Sequence, residues 1–150
     1  MRPHLIHGAV LALAASLAAC THMPPTTTAW TDGVKFAPMG AANPGAFAAT
    51  LDGNTNAAGP YTIRVHIEKG GRIAPHSHPD TRVITVVSGD LCYGFGSVFD
   101  PDGCKLYPAG SYFIVPGNAP HFGYGKISDA VYQESGVGPS GFNPVTSSAK

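Results

Sequence analysis

The sequence has little charge and no excess of either sign. Charged residues make up only 12% of the 150 residues, and nine basic side chains balance nine acidic ones. Proteins that bind nucleic acid need a basic surface to meet the phosphates, so this composition argues against nucleic acid as a partner. The chain also lacks an internal repeat of roughly 20–50 residues, and its length suits one domain better than two.

The sequence also lacks a hydrophobic run long enough to cross a membrane as a helix. The apolar stretch at residues 9–19 is shorter than the roughly 20 residues required, but it fits the apolar region of a secretory signal peptide. It ends in "LAAC", residues 17–20, which resembles the lipobox of bacterial lipoproteins. That resemblance implies that Cys20 is lipidated and becomes the mature N-terminus, with an ordinary signal peptide as the alternative.

This N-terminus implies export to the periplasm or cell envelope, with a lipid anchor in the membrane. Thr21 is not an acidic residue of the kind that retains lipoproteins at the inner membrane, so the resemblance favours the outer membrane. The following segment is rich in Thr, Pro, Ala and Gly and is predicted to be a tether.

Cysteine is scarce, with three residues in the chain. Beyond Cys20 only Cys92 and Cys104 remain, and an oxidising compartment permits them to pair. The turn signal "FDPDG" between them predicts a hairpin in which the two positions face each other within disulfide reach. Two buried free thiols are the alternative.

No stretch after residue 20 has the apolar period of a helix, whereas 19 glycines and 14 prolines predict many turns. The segment "YTIRVHI" alternates apolar and polar residues, as a half-buried strand does. "RVITVV" is rich in β-branched residues, and "SGD" after it predicts a tight turn into a returning strand, "LCYGFG". Further short strands are predicted in "CKLY", "SYFIVP", "PHFGYG" and "DAVYQESGVG". The pattern predicts an all-β sandwich or small barrel.

Three histidines predict a metal site. His76 and His78 are two positions apart, and on an extended chain such side chains point to the same face. His121 follows a proline turn in "VPGNAPHFGYG" and begins another predicted strand. Three protein ligands would leave open positions on the ion, as in catalytic sites. Imidazole ligands suit Zn, Fe, Mn, Ni or Cu and do not select among these divalent transition metals.

The spacing around the histidines resembles the two motifs of the cupin superfamily. The first motif is glycine, five residues, H-x-H, three or four residues, glutamate, six residues and glycine. The second is glycine, five residues, P-x-G, two residues, histidine, three residues and asparagine. The matching positions here are Gly70, His76, His78, Gly89, Gly110, Pro116 and His121. Asn118 stands in place of a glycine, and Gly125 in place of the asparagine.

The resemblance covers about residues 45–140 and implies a double-stranded β-helix, or jelly-roll, barrel whose metal ligands are the three histidines. We therefore divide the chain into a signal peptide at 1–19, a lipid-anchored tether at 20–44 and a cupin barrel at 45–150.

Arg82 occupies the position where the first motif has glutamate, and arginine cannot ligate a metal. Three interpretations stay open. The site is a three-histidine centre made more positive by an inward Arg82, which attracts an anionic small molecule. Alternatively, Asp80 or Glu134 supplies the missing ligand, or the metal has been lost. Against all three stands an Arg82 that turns outward and pairs with Asp80.

Two functions fit these features. A metal with open positions polarises bound oxygen or activates water or dioxygen. The resemblance implies an oxygenase-like enzyme acting on a small anionic molecule, with isomerase or hydrolytic chemistry equally open. The alternative is a non-catalytic binding protein for a small acid or a metal ion. Arg82, Tyr93 and Gln133 are candidate ligand-binding residues. Tyr93, Glu134 and His66 are candidate bases, so catalytic residues stay unassigned, and a homodimer is compatible with the sequence.

Overall fold

The computed structural model describes residues 33–145, so the predicted signal peptide, Cys20 and the first part of the predicted tether lie outside the described residues. Within this range the chain forms ten strands and no α-helix, which confirms the all-β prediction. The strands are β1 (Ala37–Pro38), β2 (Ala46–Asp52), β3 (Gly59–Ile67), β4 (Arg72–Ser77), β5 (Arg82–Phe95), β6 (Lys105–Pro108), β7 (Tyr112–Val115), β8 (His121–Tyr124), β9 (Ala130–Gly138) and β10 (Asn143–Pro144). Among these residues no helix is long and apolar enough to span a membrane.

The strands pair antiparallel in two curled layers that share β5. One layer has the order β1-β2-β3-β9-β5-β7, and the other has the order β10-β4-β8-β5-β6. Residues 82–89 of β5 pair with β7 and β9, whereas residues 90–95 pair with β6 and β8. A single long strand therefore connects the layers on either side of the core.

The continuity of β5 differs from the predicted hairpin at "SGD". Instead of reversing there, the strand shifts its register with β9 between Val86 and Ser88, and Gly89 adopts a φ of 70°. A Cβ atom on Gly89 would lie 1.9 Å from the carbonyl oxygen of Asp129, so only glycine fits. The irregularity is a bulge, which bends a strand without reversing it. This bend lets β5 pass from one layer to the other.

The alternation predicted for β3 is confirmed. Tyr61, Val65 and Ile67 are buried, and Ile63 packs against the same core. Side chains two positions apart share a face of a strand, so this face of β3 forms part of the inner wall of the barrel. Burial of these apolar groups is the main source of stability for such a layer.

Cys92 and Cys104 form a disulfide with Cα atoms 5.5 Å apart. Cys92 lies in β5, but Cys104 precedes β6, and the residue directly opposite Cys92 is Leu106. The Cys92–Cys104 pairing agrees with the prediction. The predicted symmetric hairpin is not observed, because Cys104 lies just before β6 and is not directly opposite Cys92.

The sheet begins inside the segment that the sequence assigned to the tether. Ala37 and Pro38 pair with Ala48 and Phe47 across β1 and β2. The Asn43 side chain accepts a hydrogen bond from the Ala74 amide at 2.9 Å, which ties the same segment to β4. The structured part of the chain therefore starts ahead of residue 45.

Candidate metal centre

The three predicted ligands meet because β4 and β8 are neighbours. His76 on β4 and His121 on β8 are direct cross-strand partners. His78 follows directly after β4, and its carbonyl accepts a hydrogen bond from the Asn118 amide at 2.6 Å. Asn118 has a φ of 61°, a left-handed conformation that asparagine adopts more readily than most residues. This explains how Asn118 can replace the glycine of the second motif.

The three imidazoles form a compact, buried group. His76 and His78 are each 4% exposed, and His121 is 2% exposed. One ring nitrogen from each lies within 4.8 Å of the others, and the Nε2 atoms of His76 and His78 are 3.0 Å apart. Two nitrogens at about 2.1 Å from one ion and about 90° apart have this separation. The group therefore has the dimensions of a three-histidine metal site.

Backbone carbonyl groups fix the tautomer of each ring. Nδ1 of His76 donates to Ala74, Nδ1 of His78 to Gly141, and Nδ1 of His121 to Ala119. A carbonyl oxygen only accepts, so each Nδ1 carries a proton and each Nε2 has a free lone pair. Hydrogen bonds of this kind orient the histidines of metal sites and increase their basicity.

Burial keeps the three rings neutral. Burial, reinforced by the neighbouring His121, lowers the pKa of His76 to about 3. Burial and the charge of Arg82 lower the pKa of His78 to about 4, and burial also lowers the pKa of His121. At neutral pH the cluster therefore presents three lone pairs without a proton among them. This donor set fits a divalent transition metal.

Arg82 points inward but is not an unpaired cation. Its side chain is buried and lines the same cavity as the histidines. The guanidinium forms an ion pair with Glu134, donates to Ser140 Oγ at 2.8 Å, and has its Nε 3.7 Å from Asp80 Oδ2. The hypothesis of a free positive charge is wrong, because two carboxyl groups of the protein compensate it. An outward Arg82 is excluded by the same contacts.

Asp80 and Glu134 belong to this Arg82 network, and neither is part of the histidine group. Burial raises the pKa of Asp80, but hydrogen bonds from Ser140 and Tyr61 and the charge of Arg82 outweigh it, so the pKa lies below its ordinary value. Burial raises the pKa of Glu134, and Arg82 counteracts this rise. The hypothesis that one of these acids is a fourth metal ligand is therefore not supported by their positions.

A cavity of about 300 Å³ opens beside the histidines. This volume is at the lower end of the range for small-molecule sites. Its polar lining includes Thr55, His76, His78, Arg82, Glu134 and Ser140. Its apolar lining includes Met39, Ile63, Val65, Ile73, Tyr132 and Phe142. A ligand in this cavity would contact both the histidine cluster and an apolar wall.

Gln133 does not line this cavity, contrary to the prediction. Neighbouring side chains on a strand point to opposite faces, and β9 directs Tyr132 and Glu134 inward. Gln133 lies on the other face, where its Oε1 accepts a hydrogen bond from Arg64 Nη2 at 3.0 Å. The prediction for Gln133 was right about the strand and wrong about which face of that strand carries the side chain.

Tyr93 and His66, two further predicted candidates, are not part of the cavity lining. The Tyr93 ring stacks on His121 with centroids 5.3 Å apart and an interplanar angle of 17°. Tyr93 is buried, and its hydroxyl has no hydrogen-bond partner among the described residues. His66 is outside the histidine group and pairs with Asp129 at 3.1 Å. Tyr93 therefore supports a candidate ligand from behind, and His66 is remote from the site's chemistry.

The sequence did not predict the contribution of residues 139–145, which we call the C-terminal strap. Ser140 bonds the Arg82 network, and the Gly141 carbonyl orients His78. Phe142 stacks on His76 with centroids 4.1 Å apart. The glycine and proline of "GPSG" indicate only a turn, and a contact through a backbone carbonyl has no signature in the sequence.

Several solved structures have a similar fold. The polyketide cyclase RemF from Streptomyces resistomycificus has a TM-score of 0.68 at 15% identity, over 83% of this chain and 88% of that chain. An RmlC-like cupin from Shewanella frigidimarina has a TM-score of 0.57 at 18% identity, over 82% and 95%. KdgF from Halomonas sp. has a TM-score of 0.56 at 16% identity, over 77% and 92%.

No protein-family model and no curated protein sequence matches the chain. At these identities the structural likeness shows the fold and not the activity. The topology, the convergence of the three motif histidines and the solved neighbours agree on one architecture: the chain has the fold of the cupin barrels.

Proposed function

We propose that His76, His78 and His121 hold one divalent transition-metal ion and present it to a small molecule in the adjoining cavity. The observation that carries this proposal is the pair of Nε2 atoms 3.0 Å apart in a buried site. Both nitrogens are unprotonated, so their lone pairs repel each other unless a cation lies close to both. Zn, Fe, Mn, Ni and Cu all accept such ligands.

The working hypothesis for the reaction is an oxygenase-like enzyme. An ion with three protein ligands keeps open positions and can polarise a bound oxygen atom or activate water or dioxygen. A polyketide cyclase is among the proteins of similar fold, so this scaffold supports enzymes. The alternative is a non-catalytic binding protein for a small acid or a metal ion. An enzyme would consume its ligand, whereas a binding protein would only gain thermal stability from it.

An anionic small molecule remains the proposed ligand, but its attraction has another source than the sequence suggested. Arg82 is matched by Glu134 and Asp80, so it offers no free charge to an anion. The metal ion itself would supply the positive charge, and neutral molecules with a donor oxygen would then compete with anions.

Metal analysis followed by titration tests the centre. The purified chain is expected to contain about one transition-metal ion, and the metal-free protein to bind one Zn²⁺ in calorimetry. His121→Ala is expected to lower this affinity at least about 100-fold, since changing even the partners of metal ligands costs about 10–100-fold. His66→Ala is the matched control because His66 lies outside the cluster. Equal Zn²⁺ affinities for wild type and His121→Ala would contradict the proposal.

We also propose that the chain is exported and anchored through Cys20, with the outer membrane as its destination. The Cys92–Cys104 disulfide supports export, because such bonds persist mainly in oxidising compartments. Labelling with a fatty-acid analogue is expected to mark the wild-type chain and not Cys20→Ser. Export without any label would indicate an ordinary signal peptide.

A further inference from the structure

A second cavity of about 320 Å³, open to solvent along the exposed Ala37 and Pro38, lies next to the first. It is lined by Ala37, Pro38, Met39, Asn43, Ala48 and Phe142. Met39 and Phe142 also line the cavity beside the histidines. The two cavities therefore share a wall that consists of two apolar side chains.

The second cavity offers apolar contacts and no free polar side chain among its lining residues. Asn43 is the one polar member of the lining, and its groups are used within the protein. Its Nδ2 donates to the Met39 carbonyl at 3.0 Å, and its Oδ1 accepts from the Ala74 amide at 2.9 Å. A group that occupies this cavity therefore gains from apolar burial alone.

The shared wall can yield to a ligand. Met39 is unbranched and adapts easily to the shape of its surroundings. Phe142 is 40% exposed, so one side of its ring is open. Ile63, Val65 and Ile73 add to the apolar lining of the first cavity. Apolar side chains therefore lie on both sides of the wall that separates the candidate metal centre from the second cavity.

We infer that the ligand of the histidine site is amphipathic: an oxygen-bearing head binds at the metal, and a hydrocarbon tail passes between Met39 and Phe142 into the second cavity. Binding of the head rests on the proposed metal centre, and the position of the tail rests on the wall that the two cavities share. The inference narrows the substrate class from small acids in general to acids or related chelating molecules that carry an apolar chain.

Two hydroxamates that differ only in chain length test this. Acetohydroxamate supplies a chelating head alone, and octanohydroxamate adds six methylene groups. Their affinities for the Zn²⁺-loaded chain are measured by calorimetry. If three of the added methylenes are buried, octanohydroxamate is expected to bind about 60-fold more tightly, because each buried methylene gives roughly fourfold.

Substitutions in the second cavity test the position of the tail. Ala48→Leu fills this cavity, and Met39→Gln makes the shared wall polar. Both are expected to reduce the advantage of octanohydroxamate to below about fivefold. Ala48 does not line the first cavity, so Ala48→Leu should bind acetohydroxamate as wild type does. Ala41→Leu, at an exposed position in the turn after β1, is the matched control and should keep the full advantage. Retained acetohydroxamate binding also shows that each variant is folded.

The outcomes separate the two proposals. If wild type binds acetohydroxamate but gains nothing from the longer chain, the amphipathic ligand is wrong and the metal centre stands. A gain that survives both Ala48→Leu and Met39→Gln places the tail elsewhere and also overturns the inference. If the chain takes up no Zn²⁺ or the loaded chain does not bind acetohydroxamate, the metal centre as proposed fails and the inference fails with it.

Discussion

The two ends of the first cavity satisfy their buried polar groups in different ways, although His76 and His78 at one end and Arg82 at the other come from one short stretch, residues 76–82. At the histidine end, each ring uses Nδ1 on a backbone carbonyl and keeps Nε2 unprotonated. At the Arg82 end, the guanidinium meets Glu134 and Ser140 within the protein. The first arrangement leaves three lone pairs that a cation could bind, whereas in the second the charge of Arg82 is matched within the protein, although its Nε has no hydrogen-bond partner among the described residues. Buried polar groups therefore indicate a ligand only where the protein leaves their charge or lone pairs unmatched.

The difference also explains how the chain accommodates arginine in place of a motif glutamate. A buried guanidinium beside a metal ion is costly unless an anion compensates it. Glu134 on β9, 52 positions further along the chain, provides that anion. The exchange converts a predicted ligand position into a structural ion pair and leaves three histidines as the candidate metal ligands.

The strongest test of this comparison is Arg82→Met. It leaves the buried carboxyl group of Glu134 and the partly buried one of Asp80 without their cation, so we expect the free energy of unfolding to fall by about 3–5 kcal/mol. Zn²⁺ affinity should not fall, because all three histidines remain and the charge of Arg82, which disfavours positive charge at His78, is removed. Urea unfolding and calorimetry measure the two effects.

Two further variants control the Arg82→Met experiment. Arg82→Met combined with Glu134→Gln removes both charges of the pair and should recover part of the lost stability. Arg72→Met removes an exposed arginine and should have little effect. A loss below about 1 kcal/mol for Arg82→Met would mean that the network behaves like a surface pair.

The histidine end should make the metal-free protein sensitive to acid. The pKa of His76 is about 3 and that of His78 about 4 in the folded chain, against about 6.5 for unfolded histidine. The unfolded state therefore binds more protons between these values, and stability is lost as the pH falls from about 6.5 toward 4. Between pH 7 and 5 we expect each of the two histidines to contribute a loss of about 2 kcal/mol.

Urea unfolding of the metal-free chain at the two pH values measures this loss. His78→Asn should remove about 2 kcal/mol of the pH dependence, whereas His66→Asn, outside the cluster, should keep it. If His78→Asn shows the same pH dependence as wild type, the histidines are protonated in the folded chain and the contrast between the two ends disappears.

The parts of this molecule that the sequence predicts are those set by local pattern. The alternation of residues 61–67 gives the buried face of β3, and the spacing of His76, His78 and His121 gives the site. Glycine at position 89 marks an irregularity, but the local sequence does not distinguish a bulge from a turn, because the outcome depends on contact with Asp129. The sequence alone left both Gln133 and Glu134 as candidates for the site for a similar reason: which of two neighbouring side chains faces the cavity is set by the register with distant strands.

The ion-pair partner of Arg82, Glu134, also could not be predicted from the sequence. An ion pair across 52 positions depends on which strands are neighbours, and no spacing rule connects residues 82 and 134. The C-terminal strap contributes through a backbone carbonyl and an aromatic face, which many sequences could provide. Local sequence patterns therefore identify the histidines and Arg82, but they do not show whether the charge of Arg82 is compensated.

A smaller test at the Arg82 end is Tyr61→Phe. The Tyr61 hydroxyl donates to Asp80, and hydrogen bonds to charged groups contribute about 1.5–3 kcal/mol. Ser140 still donates to Asp80 in the variant, so we expect a loss near the lower value in urea unfolding. Zn²⁺ affinity should not change. Tyr112→Phe, at an exposed position, is the matched control, and a loss of equal size there would show that the buried network has no special role.

The smallest expected effect is at Ser140, where the two ends approach each other. Its hydroxyl accepts a hydrogen bond from Arg82 and donates one to Asp80. The carbonyl of the next residue, Gly141, orients His78. Ser140→Ala should cost about 1 kcal/mol of stability. It should also weaken Zn²⁺ binding by about threefold, because the strap then holds the Gly141 carbonyl less firmly. The effect stays small because the Ser140 amide still donates to Thr55 at 2.6 Å.

The two readouts for Ser140→Ala decide how separate the ends are. Ser88→Ala, at an exposed position on β5, is the control and should change neither quantity. A loss of Zn²⁺ affinity above about 30-fold would mean that the Arg82 network and the histidines form one unit, because partners that orient metal ligands have effects of that size. Unchanged Zn²⁺ affinity together with reduced stability would mean that loss of the Ser140 hydroxyl does not change how the Gly141 carbonyl holds His78. The expected threefold change lies between these results: the Arg82 end of the cavity is structural, the histidine end is the proposed metal site, and the strap couples them weakly.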